Sequence, residues 1–247
     1  MKHGSLFSGI GGFDLAAEWM GWENVFHCEW NEYCRKILKK HWPKSEAYGD
    51  ITKTCFKKWR NIIDVISGGF PCQPFSLAGD REGEKDERYL WPEMFRAFDE
   101  IRPMWGVGEN VPGIIDSEFS ITAIKNDLAS IGYSVLPIKI QASLMGTNHQ
   151  RERIWFIAYS NSNGMEGRRI PKNSKKDRQR RESSQATLFN QKEFTRGYSD
   201  KSESELIRAD DGVPNWMDRV AACGNAIVPQ VAYQIFKTIE QYENLNL

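Results

Sequence analysis

Through residues 1–160, short apolar runs alternate with stretches of helical periodicity, and few folds accept that pattern. Residues 5–8 read as a strand, followed by a helix with Phe13, Ala16, Ala17 and Met20 on one face. Residues 25–28 make a second strand. The next helix opens at an N-cap, Asn31, places Cys34, Ile37, Leu38 and His41 at i, i+3, i+4 and i+7, and stops at Pro43. Residues 62–67 form a continuous apolar run, as in a strand buried on both faces of a parallel sheet. A Gly/Pro loop at 68–83 leads to a helix at about 91–101, a strand at 104–108 and a helix at about 117–130. Two further apolar runs, 133–140 and 154–159, are close enough in sequence to form a hairpin. This alternation implies a doubly wound, mostly parallel α/β sheet of Rossmann-like type, with ligands at the carboxyl ends of its strands.

The pattern breaks at 161–210, which is rich in Ser, Asn, Arg and Lys. On composition this is a linker or surface insertion; on charge it is a small DNA-contacting module. The formal net charge of zero conceals it. Residues 168–181 hold eight basic side chains (Arg168, Arg169, Lys172, Lys175, Lys176, Arg178, Arg180, Arg181) and one acid, Asp177. Taking these from 33 basic and 33 acidic residues leaves 25 basic against 32 acidic elsewhere. The chain closes with a helix at about 229–242, apolar at Val231, Ile235, Ile239 and Tyr242. The pattern divides the chain into 1–160, 161–210 and 211–247.

Other classes fall away. No apolar run approaches the length of a membrane span, and no signal pattern opens the chain. The five cysteines are odd in number, scattered and never paired as C-x-x-C, so neither a disulfide scaffold nor a metal site is expected. A cytoplasmic protein follows.

Two ends of the sheet carry chemistry. The first strand runs into Gly9-Ile10-Gly11-Gly12, where a bare backbone can approach a ligand beside a helix N-terminus; a third glycine at dinucleotide-fingerprint spacing is missing. Glu29, 20 residues after Gly9, ends the second strand where an acid accepts from ribose hydroxyls. Trp30 offers a flat face to an adenine ring, and Asp50 an acceptor for its amino group. Singly, each has an ordinary reading as surface acid, core tryptophan or turn aspartate; in this order they favour an adenosine-bearing cofactor. At the other end, Cys72 sits on a Gly/Pro loop directly after a buried strand, a place for a nucleophile. Glu109 ends a neighbouring strand and would face the same pocket. Arg151 and Arg153, at alternate positions of a further strand, point to one face and can hold anionic or carbonyl oxygens.

These residues sit in LFSGIGGFDLA at 6–16, Glu29-Trp30, Gly49-Asp50-Ile51, Gly69-Phe70-Pro71-Cys72-Gln73, Glu109-Asn110-Val111, Gln150-Arg151-Glu152-Arg153 and Gly224-Asn225-Ala226-Ile227-Val228-Pro229. In that order the sequence resembles the cytosine-5 DNA methyltransferase family. Asp211-Gly212-Val213-Pro214-Asn215 resembles its compact phage- and prophage-encoded members. The chain departs from the family at Asn148-His149, where Pro-Gln usually precedes Arg-x-Arg, and in a recognition region that is normally larger.

The resemblance implies S-adenosylmethionine as cofactor, held by Phe7, Gly9, Gly11, Gly12, Glu29, Trp30, Asp50, Ile51, Pro71 and Asn225. It implies double-stranded DNA as partner, met by Gln73, Ser76, Arg168, Arg169, Arg178, Arg180 and Arg181. It gives Cys72 the role of covalent nucleophile, Glu109 that of partner to the base, and Arg151 and Arg153 supporting roles. It makes 1–160 the catalytic and cofactor-binding domain, 161–210 a small target-recognition region and 211–247 a segment returning to the catalytic domain. No metal is expected. A monomer is expected, alone or paired with a restriction endonuclease, in a bacterial cell or phage-infected host. Two rivals stand beside this: an RNA (tRNA) cytosine-5 methyltransferase, and a non-catalytic DNA-binding relic.

Overall fold

Five short strands, β1 (Lys2–Leu6), β2 (Glu23–Cys28), β3 (Glu46–Tyr48), β4 (Val65–Gly68) and β5 (Trp105–Asn110), hydrogen-bond in parallel in the order β3-β2-β1-β4-β5. The computed structural model describes residues 1–71, 90–116, 121–145, 152–161 and 226–246. Beyond β5 the sheet continues with β7 (Glu152–Ser160) and β6 (Tyr133–Gln141), β7 running antiparallel to both neighbours. The hairpin expected at 133–159 is therefore present, with its second strand inserted next to β5. The chain leaves β1 toward β2 on one side and returns to β4 on the other, so a crevice opens at the carboxyl ends of β1 and β4.

Helices cover both faces, as every residue of β4 and β5 being buried requires. On one face α3 (Trp91–Ile101) and α4 (Ile121–Ser130) pack Met94, Phe98, Ile124 and Leu128 against Leu6, Phe26, Ile66 and Phe156. On the other, α1 (Gly12–Trp19) and α5 (Pro229–Asn246) pack Phe13, Ala16, Ala17, Ile235 and Phe236 against Val65, Val107 and Trp155. The helix α2 (Glu32–His41) starts at Asn31, whose side chain accepts from the Cys34 N–H. In β5 close aromatic cover replaces side chains: a Cβ on Gly108 would lie 1.7 Å from the Phe156 ring, and one on Gly106 2.1 Å from Phe98.

The layer between β1 and α1 is polar. Ser5 Oγ donates to both oxygens of the fully buried Asp14 at 2.9 Å and lies 2.6 Å from Ser8 Oγ. His3 meets Asn24 Oδ1 at 2.7 Å and Ser67 Oγ at 2.8 Å. The His27 ring nitrogens, also buried, have no hydrogen-bond partner among the described residues. Burial pushes the Asp14 carboxyl up to about 7 and the His3 imidazole down to about 4.

Several boundaries differ from the sequence reading. The strand β1 ends at Leu6, not at 8, because Phe7 takes a left-handed φ of 51°. Strand β4 begins at Val65, not 62, and β5 runs on to Asn110. The final helix extends four residues past 242, and β3 has no counterpart in the sequence pattern. Residues 117–120, read as helix, lie outside the described residues, as does the 161–210 region apart from Asn161. Among the described residues no helix is long and apolar enough to cross a membrane.

Candidate active site

The glycine turn between β1 and α1 is built from backbone that only glycine adopts easily. Gly9 has φ 55° and Gly11 φ 90°, in the left-handed region. Gly11 N–H closes the turn on Ser8 O at 2.9 Å, and Gly11 caps α1 without a side chain. The underside is filled: a Cβ on Gly11 would lie 2.3 Å from Trp42, and one on Gly12 2.7 Å from Ile227 O. The outside is open, since a Cβ on Gly9 would meet nothing within 4 Å. Among the described residues, the turn is therefore open on its Gly9 side and filled at Gly11 and Gly12.

Glu29 follows β2 and faces this turn. Its Oε2 accepts from Gly9 N–H at 2.7 Å and its Oε1 from Asn31 N–H at 2.8 Å. The carboxylate thus braces the glycine loop as well as bordering the crevice, a second role that spacing alone does not reveal. Trp30 is 79% exposed, which removes the reading of it as a core residue. Arg35 of α2 fixes this turn from behind, donating to Glu29 O at 3.1 Å and to Trp30 O. Asp50 caps the 3-10 turn Ile51–Lys53, accepting from Thr52 N–H at 3.0 Å, while Ile51 is buried in the core. Phe7, Gly9, Gly11, Gly12, Glu29, Trp30, Asp50 and Ile51 therefore all lie in segments at or just beyond the carboxyl edges of β1, β2 and β3. Open space over Gly9, an exposed indole and an acid between two backbone donors suit a ligand with an adenosine-like end.

The second cluster forms where β4, β5 and β7 meet. Arg153 Nε bonds Glu109 Oε1 at 3.0 Å, and Glu109 is only 9% exposed. A charge pair of this kind fixes both side chains, because either left alone would be a costly partly buried charge. A Cβ on Gly69 would stand 3.4 Å from Glu109 Oε2, and Asn110 Nδ2 donates to Phe70 O at 3.1 Å. The end of β5 is thus fastened to the two residues before Pro71, the last described position ahead of Cys72. Ile227, at the foot of α5, lies against both Gly12 and Gly69 and so bridges the two clusters. Asn110 and Ile227 are legible in the sequence only as motif members, without a role.

Cys72, Gln73, Ser76, Arg151, Asn225 and the basic set Arg168, Arg169, Arg178, Arg180 and Arg181 lie outside the described residues. Of the described cysteines, Cys28 and Cys34 are buried and Cys55 is exposed. Burial pushes the Cys28 thiol up to about 12, which makes it inert as a nucleophile.

A parallel sheet with one antiparallel strand near its edge, a glycine turn after β1 and an acid after β2 defines a Rossmann-like α/β fold of the methyltransferase type. The chain belongs to the C-5 cytosine-specific DNA methylase family, whose model matches residues 1–211. Type II methyltransferase M.Eco47II of Escherichia coli is 36% identical over 161 residues, covering 63% of this chain and 39% of that protein. Type II methyltransferase M.BsuFI of Bacillus subtilis is 32% identical over 222 residues, covering 86% of this chain and 52% of that protein. A crystal structure assigned to a DNA modification methyltransferase of an Escherichia coli prophage is 29% identical with a TM-score of 0.57, covering 66% of this chain and 47% of that one. The chain spans about half the length, or less, of the relatives it matches.

Proposed function

We propose that the chain transfers a methyl group from S-adenosylmethionine to carbon 5 of a cytosine in duplex DNA. The observation that carries this reading is the Arg153–Glu109 pair, held against the Gly69-Phe70 backbone directly before Cys72. Glu29, Trp30 and the Gly9–Gly12 turn would hold the adenosine and amino-acid ends of the donor, with Asp50, Ile51, Pro71 and Asn225 around them. The bound donor supplies an electrophilic methyl group.

Carbon 5 of cytosine is a weak nucleophile, so the ring must first be activated. The Cys72 thiolate adds to carbon 6, turning the ring into an enamine, while Glu109 binds ring nitrogen 3 and the exocyclic amino group. Arg153 orients Glu109 for that interaction, and Arg151 lies toward the DNA backbone. Carbon 5 then displaces the neutral thioether from the donor's methyl group, water or another base takes the carbon 5 proton, and the C–H electron pair re-forms the 5,6 double bond as the Cys72 sulfur is expelled. A free thiol has a pKa of about 8.5, so nearby positive charge favours the thiolate. A base inside a duplex cannot reach this crevice; flipping it out costs a few kcal/mol, offset by interactions with Gln73, Ser76 and the basic residues of 168–181. Such a reaction belongs where DNA is, in the cytoplasm of a bacterial or phage-infected cell.

The test uses duplex DNA carrying 5-fluorocytosine at sites mapped by bisulfite sequencing of a plasmid from expressing cells. Fluorine cannot leave as a proton does, so an adduct with Cys72 should survive denaturing electrophoresis. Cys72→Ala should give neither adduct nor methylation, whereas Cys28→Ala and Cys55→Ala should still give the adduct. Methylation persisting in Cys72→Ala would overturn the covalent mechanism.

A further inference from the structure

We infer that Arg96 is a positioning residue for the adenosine end of the cofactor site, acting through the turn that carries Asp50 and Ile51. This rests on the reading of that turn as part of the site. Arg96 lies on α3, and its guanidinium makes four hydrogen bonds and two ion pairs. Nε donates to Glu93 Oε2 at 2.8 Å; Nη1 donates to Thr54 O and to Glu100 Oε1, both at 2.9 Å; Nη2 reaches Ile51 O and Glu93 Oε2, both at 2.7 Å. The second oxygen of Glu100 accepts from Phe56 N–H at 2.6 Å. The guanidinium also stands 5.9 Å from the centre of the buried Phe56 ring. Two side chains of α3 thus hold three backbone groups, at 51, 54 and 56, of a single short segment.

Within the segment, Asp50 accepts from Thr52 N–H at 3.0 Å and from Thr52 Oγ1 at 2.7 Å and pairs with Lys53 at 3.4 Å, and Ile51 is buried; the α3 side chains tie this unit to the helix. Its regular structure is one 3-10 turn, capped by Asp50 itself. A 3-10 turn of this length has poor hydrogen-bond geometry and is weak alone. Thr52 and Lys53 set the Asp50 carboxylate within the turn, and the anchors at Ile51 O and Thr54 O set where the turn stands against α3; without them the turn shifts while Phe56, buried beside it, keeps the core closed. The fork geometry is what matters. A lysine offers three donors on a point charge and cannot span two carbonyls and two carboxylates at once. The helix bearing Arg96 is also the first described element after Cys72 in the chain.

Arg96→Lys and Arg96→Gln in the full chain provide the test. Donor affinity would be measured by calorimetry with S-adenosylmethionine, duplex affinity by fluorescence anisotropy, and KM and kcat by methyl transfer. Arg96→Gln should weaken donor binding and raise its KM by about tenfold, the scale of losing hydrogen bonds from a charged donor. The lysine variant should fall between it and wild type. Duplex affinity and kcat at saturating donor should stay within about twofold, because the lost interaction serves donor binding alone. A merely structural arginine would lower the melting temperature and the folded fraction yet leave the donor Kd of the folded protein unchanged, and that result overturns the proposal. If Asp50→Ala also leaves the Kd unchanged, the assignment of the turn to the site falls together with it. If Asp50→Ala weakens binding and the Arg96 variants do not, only the role of Arg96 is lost.

Discussion

Asp14 is an ionisable carboxyl that the fold closes off from water under the glycine turn. Its folded pKa of about 7 lies above the ordinary 3.8, so the folded state holds a proton that the unfolded chain has released. Its contribution to stability is present in full below about 3.8 and is lost as pH rises through about 7. His3 runs the other way: lowered from 6.5 to about 4, it contributes above 6.5 and loses that contribution as pH falls through 4. Asp14→Asn keeps a neutral group in place and removes the first titration. Relative to wild type, the variant should gain about 2–3 kcal/mol between pH 5 and pH 8, read from urea unfolding at each pH. A difference that does not change with pH would show that Asp14 stays ionised. Neither Asp14 nor Arg96 can be picked out from sequence. Asp14 looks like a favourable acid in a helix first turn, and Arg96 like a solvated face residue whose partners at Ile51 and Thr54 are over 40 positions away. Glu29 and Glu109 are legible because each closes an apolar run, where a charge has no packing purpose.

Among the elements, those with strong periodicity are legible and those defined by their neighbours are not. The strand β3 has three residues, none fully buried, and exists because β2 offers it an edge: Phe26, His27 and Cys28 pair with Glu46, Ala47 and Tyr48. Nothing in Glu-Ala-Tyr announces a strand. The early limit of β1 has a similar origin, since a left-handed Phe7 is a feature of the turn rather than of the strand's composition. The helix α5 shows how much one distant element can carry. Phe236 is fully buried, stacks on Trp22 at 4.8 Å between ring centres, lies 6.2 Å from Phe13 and meets His3 edge-on at 5.5 Å. Phe236→Ala should cost about 3–5 kcal/mol. For a chain of this size that lowers the melting temperature by on the order of 10 °C, measurable by calorimetry. A loss below about 1 kcal/mol would mean that α5 is not holding α1 down.

For the whole molecule, the neutral total conceals an uneven distribution, with eight of the 33 basic side chains and a single acid at 168–181. If those side chains meet phosphates, replacing Arg178, Arg180 and Arg181 by Gln should weaken duplex binding. The plot of log affinity against log salt should also grow shallower, by about 0.9 for each phosphate no longer neutralised. An unchanged slope would move the phosphate-binding role elsewhere.

The reversed direction of β7 has a consequence for how that segment is attached. Because β7 runs against β5, it starts at the edge where Glu109 lies and finishes at the far one: Tyr159 pairs with Trp105, the first residue of β5, and Ser160 with Tyr133, the first of β6. Ile227, close after the point where the described chain resumes, stands beside Gly12 and Gly69 on the opposite rim. The two anchor points of the intervening stretch are thus separated by roughly the length of a nine-residue strand, about 30 Å. A specificity module inserted as a hairpin, with adjacent ends, could be exchanged without disturbing the sheet that carries it. Any segment put in place of 162–225 would have to reach from one rim of the sheet to the other, and one with closely spaced ends would pull Ile227 away from the glycine turn.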